Sequence, residues 1–280
     1  MTNAPRTWFV TGASSGLGRA LTEALLQDGH RVAATARDLK SLSSLKEAYG
    51  SRLWSAELDV TDTDRLRQVT DAAFDELGHI DFIVSNAGQG LYGAAEEFDD
   101  RDIQRQFATN LLAPVQLLRS VAPHFRRQQA GHFVQISSAA GQTGMAGGSV
   151  YHASKWGVEG FFDSLHDELS PFGVGVTIVE PGAIASSFFN RVGVAKAIDA
   201  YESGPVGGLR SYLADPETVI GNSVGDPAKM ARTIIDSVSA SKPPRRLALG
   251  SDSYTQIHQA LTARLAAHEA QRELAHTTDR

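Results

Sequence analysis

Short apolar segments alternate with helix-patterned segments from the first ten residues almost to the end, and that alternation leaves few folds open. Trp8-Phe9-Val10, Arg31–Ala36, Leu53–Leu58, Ile80–Ser85, His132–Ser137 and Gly175–Val179 read as buried strands. Between them, Arg19–Gln27, Leu39–Tyr49, Asp62–Leu77 (opened by an aspartate cap), a long stretch over Asp100–Arg127 and Val150–Leu169 carry helical spacing. Strands apolar on both faces must be covered on both faces, which calls for a parallel sheet with helices on each side. The expected fold is α/β: a doubly wound Rossmann-type parallel sheet in a single domain spanning 1–280. No linker, composition break or internal repeat divides it.

After Gly175–Val179 the pattern loosens. Residues 183–225 are rich in Gly, Ser and Ala, with scattered Phe188, Phe189, Val192, Val194, Tyr201 and Tyr212. Ligands of open α/β sheets bind beyond the carboxyl ends of the strands, so a long segment there is a candidate lid, and its aromatics suggest a mainly apolar pocket. Packing of the lid onto the body would account for them equally. Asp226-Pro227 looks like a cap and first position of a helix to about Ala240; Leu247–Leu249 reads as an edge strand and residues 253–274 as an amphipathic terminal helix.

Composition removes several function classes. The formal net charge is −6, and nucleic-acid binding needs a concentrated basic face. The one basic cluster, Arg126-Arg127, complements a helix C-terminus. There are no cysteines, which excludes disulfides, thiolate metal sites and cysteine nucleophiles; no metal site is expected. Met1–Arg6 shows no signal pattern and no apolar run approaches membrane-spanning length, so a cytoplasmic protein with no membrane partner is expected.

Three stretches carry chemistry. Gly12, Ser14, Ser15, Gly16, Leu17 and Gly18 lie between the first strand and first helix. Glycines there permit positive φ and close backbone approach, and the helix N-terminus offers unpaired N–H groups to a pyrophosphate. The spacing is Gly-x-x-x-Gly-x-Gly; by itself it equally marks a tight turn. Tyr151 and Lys155 stand one helical turn apart on one face. A cation beside a phenol favours phenolate and fits it to exchange protons, although a Tyr/Lys pair alone is an ordinary helix face. Ser138 follows a strand's carboxyl end, as does Asn86-Ala87-Gly88, and Asn110 stands inside a helix, where its propensity is poor.

In their order and separations these segments resemble the short-chain dehydrogenase/reductase family, in its shorter form. The carriers are TGASSGLG at Thr11–Gly18, LDV at Leu58–Val60, NAG at Asn86–Gly88, Asn110, ISS at Ile136–Ser138, YHASK at Tyr151–Lys155 and PG at Pro181–Gly182. They cover roughly residues 5–190. The resemblance implies an NAD(P)-dependent oxidoreductase, a carbonyl reductase or alcohol dehydrogenase acting on a small-molecule carbonyl or alcohol. It implies Tyr151 as acid in reduction and base in oxidation. Lys155 would lower its pKa and hold the nicotinamide ribose, Ser138 would polarise the carbonyl, and Asn110 would hold a proton-relay water. Asp59 and Val60 would contact adenine, and Asn86, Ala87 and Gly88 would lie along the cofactor. Pro181, Gly182, Ile184 and Ser186 would bracket the nicotinamide. Relatives commonly pair through the helices at 100–127 and 150–170, so a homodimer or homotetramer is expected.

The second strand ends Thr35-Ala36-Arg37-Asp38. An acid at that end selects NAD, and an arginine accommodates the 2′-phosphate of NADP. Ala36 cannot bond a ribose, whereas Arg37 can grip a phosphate. Asp38 is either an NAD-selecting acid or the cap of the helix beginning at Leu39. Ser15 stands where some NADP-using relatives carry a basic residue. NADP is favoured and NAD stays open. Two other function classes fit the fold: a dinucleotide-binding redox sensor without turnover, and, less well, a sugar-nucleotide epimerase. Retention of Asn110, Ser138, Tyr151 and Lys155 together favours the enzyme.

Overall fold

A computed structural model describes residues 4–280, so the first three residues of the polar N-terminal stretch lie outside it. The elements in order are β1 (Thr7–Val10), α1 (Gly16–Gln27), β2 (Arg31–Ala36), α2 (Ser43–Tyr49), β3 (Leu53–Glu57), α3 (Thr63–Leu77), β4 (Phe82–Ser85) and β5 (Leu91–Tyr92). They continue with α4 (Asp100–Phe107), α5 (Ala113–Gln128), β6 (Gly131–Ile136), α6 (Ser149–Leu169), β7 (Val174–Pro181) and β8 (Gly193–Val194). The last are α7 (Pro205–Leu213), α8 (Pro216–Asn222), α9 (Pro227–Val238), β9 (Arg246–Leu249), α10 (Ser251–Glu269) and α11 (Arg272–His276).

Seven strands form one sheet in the order β3-β2-β1-β4-β6-β7-β9, and every pairing in it is parallel. The Rossmann-type doubly wound sheet is therefore present. Strand alternation distributes the apolar residues to two cores. Trp8 and Val10 of β1 face a core shared with α1 and α9, while Phe9 faces one shared with α3, α5 and α6. Each large apolar side chain so buried contributes about 1.5–3 kcal/mol of transfer free energy. Aspartate caps start the covering helices: Asp62 accepts from Arg65 N at 2.9 Å, and Asp226 accepts from Ala228 N and Lys229 N at 2.8 and 3.0 Å. Such caps are worth about 1 kcal/mol each.

The sheet order reverses between β1 and β4, and the crevice at such a reversal is where ligands of this architecture sit. Three elements depart from expectation. The long helix is broken into α4 and α5 by a π-helical turn at Ala108–Leu112. The 183–225 segment is better ordered than its composition implied: it carries α7, α8 and β8, which pairs with β5. The terminal helix starts at Ser251, is interrupted after Glu269, and beyond Ile257 buries no residue. Among the described residues no helix is long and apolar enough to cross a membrane.

Candidate active site

The glycine loop is shaped by its neighbours. Gly12 and Gly16 hold φ of 67° and 55°, conformations that favour glycine. Asn86 Nδ2 donates to the carbonyls of Thr11 and Gly12 at 3.0 and 3.2 Å, and the Thr11 hydroxyl accepts from Asn86 N and Ala87 N at 2.9 and 3.2 Å. A Cβ at Gly18 would lie 2.4 Å from Asn86 Nδ2 and from Gly12 O. Gly18 is thus a packing glycine, and the end of β4 is stapled to the end of β1. The α1 N-terminus at Ser15 receives no side-chain cap, which leaves its first-turn N–H groups open to an anion.

One cavity of about 1160 Å³ runs from this loop across the carboxyl ends of the strands. Gly12, Ser14, Ser15, Gly16 and Leu17 line one end, followed by Arg37, Asp59, Val60 and Asn86, Ala87, Gly88. Ser138, Tyr151, Lys155, Pro181, Gly182, Ile184 and Ser186 line the other. Gly18 and Asn110 do not face it. The residues present fit a dinucleotide: an uncapped helix N-terminus, a glycine cradle and a long trough beside them.

Tyr151 stands in the first turn of α6 and Lys155 one turn on; both are buried. Lys155 Nζ donates to Ile136 O at 3.1 Å and lies 5.9 Å from the Tyr151 ring centroid. Burial pulls the ammonium down to about 8, against the opposing charge of Glu159. Burial also pushes the Tyr151 phenol above its ordinary value, and the Ser138 hydroxyl beside it pulls the other way. The sequence argument gave the opposite sign for Tyr151, because spacing reveals the neighbouring cation but not the depth of burial. Tyr92, with its ring 5.7 Å from that of Tyr151, contributes to the apolar surroundings and is itself raised by burial. Ser138 also caps the turn that follows it, accepting from Ala140 N at 3.2 Å.

Asn110 is 1% exposed and sits in the π turn; single π turns often mark functional positions. Its side chain clamps Gln89, accepting from Gln89 N at 3.0 Å and donating to Gln89 O at 2.9 Å and to Ser154 Oγ at 3.2 Å. Ser154 in turn donates to Tyr151 O at 2.7 Å. Asn110 therefore ties the loop after β4 to the helix carrying Tyr151.

At the far end, Ala36 is buried and Arg37 exposed. Asp38 accepts from Lys40 N at 2.9 Å and caps the short turn at Leu39–Leu42. Asp59 accepts from Thr61 N and Thr61 Oγ1 at 3.0 and 2.8 Å. Burial raises its carboxyl, but those bonds and the Arg37 and Arg105 charges prevail and hold it below the usual value.

Several site residues escaped sequence reasoning. Arg191 of the 183–225 segment donates to Ser15 Oγ at 2.6 Å. Asp252 of α10 accepts from Ala183 N at 2.8 Å and fills the space a Cβ on Gly182 would need, 2.2 Å from both carboxylate oxygens. Of the lid aromatics, Phe188, Phe189 and Tyr212 line the cavity, together with Leu209, Leu213 and Val219. Val194 is exposed, and Tyr201 is engaged with Glu96 at 2.6 Å. No local pattern marks these partners, which come from distant parts of the chain.

The short chain dehydrogenase family profile matches residues 6–196. A short-chain dehydrogenase from Streptomyces avermitilis superposes with a TM-score of 0.90 at 36% identity, covering 100% of both chains. The closed form of a serine dehydrogenase complexed with NADP+ superposes with a TM-score of 0.74 at 29% identity, over 87% of this chain and 94% of that one. Human retinol dehydrogenase 8 is 34% identical over 258 residues, 88% of this chain and 82% of that protein. Motif order, sheet topology and these likenesses agree: the chain belongs to the short-chain dehydrogenase family of oxidoreductases.

Proposed function

We propose that the protein transfers a hydride between NADP(H) and a carbonyl or alcohol group on a mainly apolar small molecule. One observation carries this: the glycine loop, Ser138, Tyr151 and Lys155 line a single continuous cavity. The bound cofactor supplies or accepts the hydride; the rest is work for the chain. In reduction, the Tyr151 hydroxyl gives its proton to the substrate oxygen as the hydride reaches the carbonyl carbon; in oxidation the phenolate takes that proton back. Burial keeps the phenol protonated through neutral pH, so the acid form is loaded for reduction. Ser138 Oγ donates to the same oxygen and orients it. Lys155 supplies positive charge beside the phenolate when it forms.

NADP is favoured by Arg37 at the end of β2 and by the engagement of one Asp38 carboxylate oxygen as a turn cap. The NADP+ complex of a 29% identical relative points the same way. The substrate end, walled by Tyr92, Phe188, Phe189, Tyr212, Leu213 and Val219, suits an alkyl, terpenoid or aromatic body; the retinol dehydrogenase named above is a relative with such a substrate in its name. The test is a panel of apolar ketones, aldehydes and their alcohols with each cofactor, followed by nicotinamide absorbance. Turnover on apolar members with NADPH is the expected result; no turnover on any member with either cofactor would remove the reading.

A further inference from the structure

Behind the catalytic face lies a knot of buried charge with no part in the proton and hydride steps above. Glu159 on α6 is 2% exposed and Glu180 on β7 is 3% exposed. Two buried carboxylates are costly unless cations and donors surround them. Arg246 of the edge strand β9 supplies one guanidinium to both: Nη1 donates to Glu159 Oε2 at 2.6 Å and to Glu180 Oε1 at 2.5 Å, while Nη2 bonds Asp163. Gln142 Nε2 donates to the same two oxygens at 2.5 and 3.2 Å.

The knot touches each segment that carries the chemistry. Ser137 Oγ donates to Glu159 Oε1 at 2.6 Å, immediately before Ser138. A Cβ at Gly141 would lie 1.9 Å from Glu159 Oε1, so the carboxylate occupies room that glycine leaves just after Ser138. Glu180 directly precedes Pro181-Gly182. Tyr151, Lys155 and Glu159 succeed one another at one-turn intervals on α6 and are all buried, so they share one helix face.

We propose that Glu159, held by Arg246, is a positioning residue: it pins both flanks of Ser138 and places a negative charge one turn along α6 from Lys155, on the helix face that carries Tyr151. The proposal rests on the hydride-transfer reading for its consequence in turnover. Lys155 and Asp163 stand one turn to either side of Glu159 on its own helix, and the charged groups from other elements are Glu180 of β7 and Arg246 of β9; Ser137 and Gln142 face it as neutral donors, and Arg264 of α10 reaches the Gln142 carbonyl at 2.9 Å from outside. Burial lowers Lys155 to about 8 and Glu159 acts against that fall. Burial and Glu159 together raise Glu180 to about 7, as expected when one cation serves two enclosed carboxylates. Without the Glu159 charge, Lys155 releases its proton at lower pH, and the phenolate loses part of its support.

The variants are Glu159→Gln, which keeps shape and removes charge, and Glu159→Asp, which keeps charge. The first readout is the titration of Lys155 by heteronuclear NMR in lysine-labelled protein, which needs no turnover. Its midpoint is expected to drop in Glu159→Gln by about one unit and to recover toward the parent in Glu159→Asp. The second is the pH profile of alcohol oxidation. In Glu159→Gln its rising limb should move up and kcat at neutral pH should fall about three- to tenfold, with KM for substrate within about twofold. A merely structural role would lower the melting temperature of both variants and leave the midpoint and limb in place; that result overturns the proposal. Should Glu159→Gln fail to fold, Glu159→Met replaces it, since it also removes the charge; the same drop in the Lys155 midpoint is expected, and a midpoint unmoved in Glu159→Met overturns the proposal. A parent protein that turns over nothing, yet shows the Lys155 shift, would refute the hydride-transfer reading and not the electrostatic role of Glu159.

Discussion

Arg191, in the segment over the cavity, donates to the hydroxyl of Ser15 in the glycine loop at 2.6 Å, although the two residues are 176 positions apart. The guanidinium thus lies at the end of the trough where the cofactor phosphates are proposed to sit, and latches the 183–225 segment to the loop. The neutral hydroxyl there is readily exchanged for an anion, because a guanidinium meets a phosphate with charge on both sides and can bond it through two parallel N–H groups. Arg191→Ala is expected to weaken NADPH binding about tenfold and to speed amide hydrogen exchange across 183–225 in the cofactor-free protein. Unchanged affinity and unchanged exchange would remove the latch.

Cofactor choice rests on Arg37. The parent protein is expected to bind NADPH more tightly than NADH in fluorescence titrations. Arg37→Ala should lose most of that margin, about tenfold or more for one charge-assisted phosphate contact. Equal or tighter NADH binding by the parent would reverse the assignment.

Two buried bases give the stability a definite pH dependence. Lys155 is lowered from 10.5 to about 8, by burial above all. Between those values the unfolded chain holds a proton that the folded form has lost, so stability rises with pH across the window, and below about 8 the full penalty applies. Lys155→Met should therefore be more stable than the parent at neutral pH, by roughly 1–3 kcal/mol after the lost bond to Ile136 O is set against it, and the difference should shrink toward pH 10.5. His132 is lowered from 6.5 to about 4, by burial first and then by His166. Its contribution is intact above 6.5 and is lost as pH falls through about 4. His132→Gln should flatten that acid limb in urea unfolding measured at a series of pH values. A parental slope in the variant would assign the acid sensitivity to other groups.

Strands, covering helices and the motif-bearing turns were legible because each is decided by residues close in sequence. The Asp62 and Asp226 caps, Ser138 after a strand's carboxyl end and Tyr151 one turn from Lys155 on a helix all follow from local spacing. Asn110 was recognised as a poor helix residue, yet the π turn around it was not, since an apolar stripe does not distinguish one inserted residue from a continuous helix. The helices α7 and α8 were hidden by glycine-rich composition; Gly207, for one, is required because a Cβ there would lie 1.9 Å from Glu202 O. Ser15 with Arg191, Gly182 with Asp252, and Glu159 with Arg246 were illegible, because each pair is made by the fold and not by spacing.

The central claim is that Tyr151 carries the proton to and from the substrate oxygen. Tyr151→Phe deletes one hydroxyl and keeps the ring that packs with Tyr92, Ala140 and Leu213, so the cradle and the fold should survive. The decisive measurement is kcat and cofactor Kd for parent and variant on the best apolar carbonyl found in the panel. A fall in kcat of about 10²–10⁴-fold with cofactor Kd within about twofold is the predicted result. Near-parental kcat in Tyr151→Phe would contradict the account and require a different proton donor.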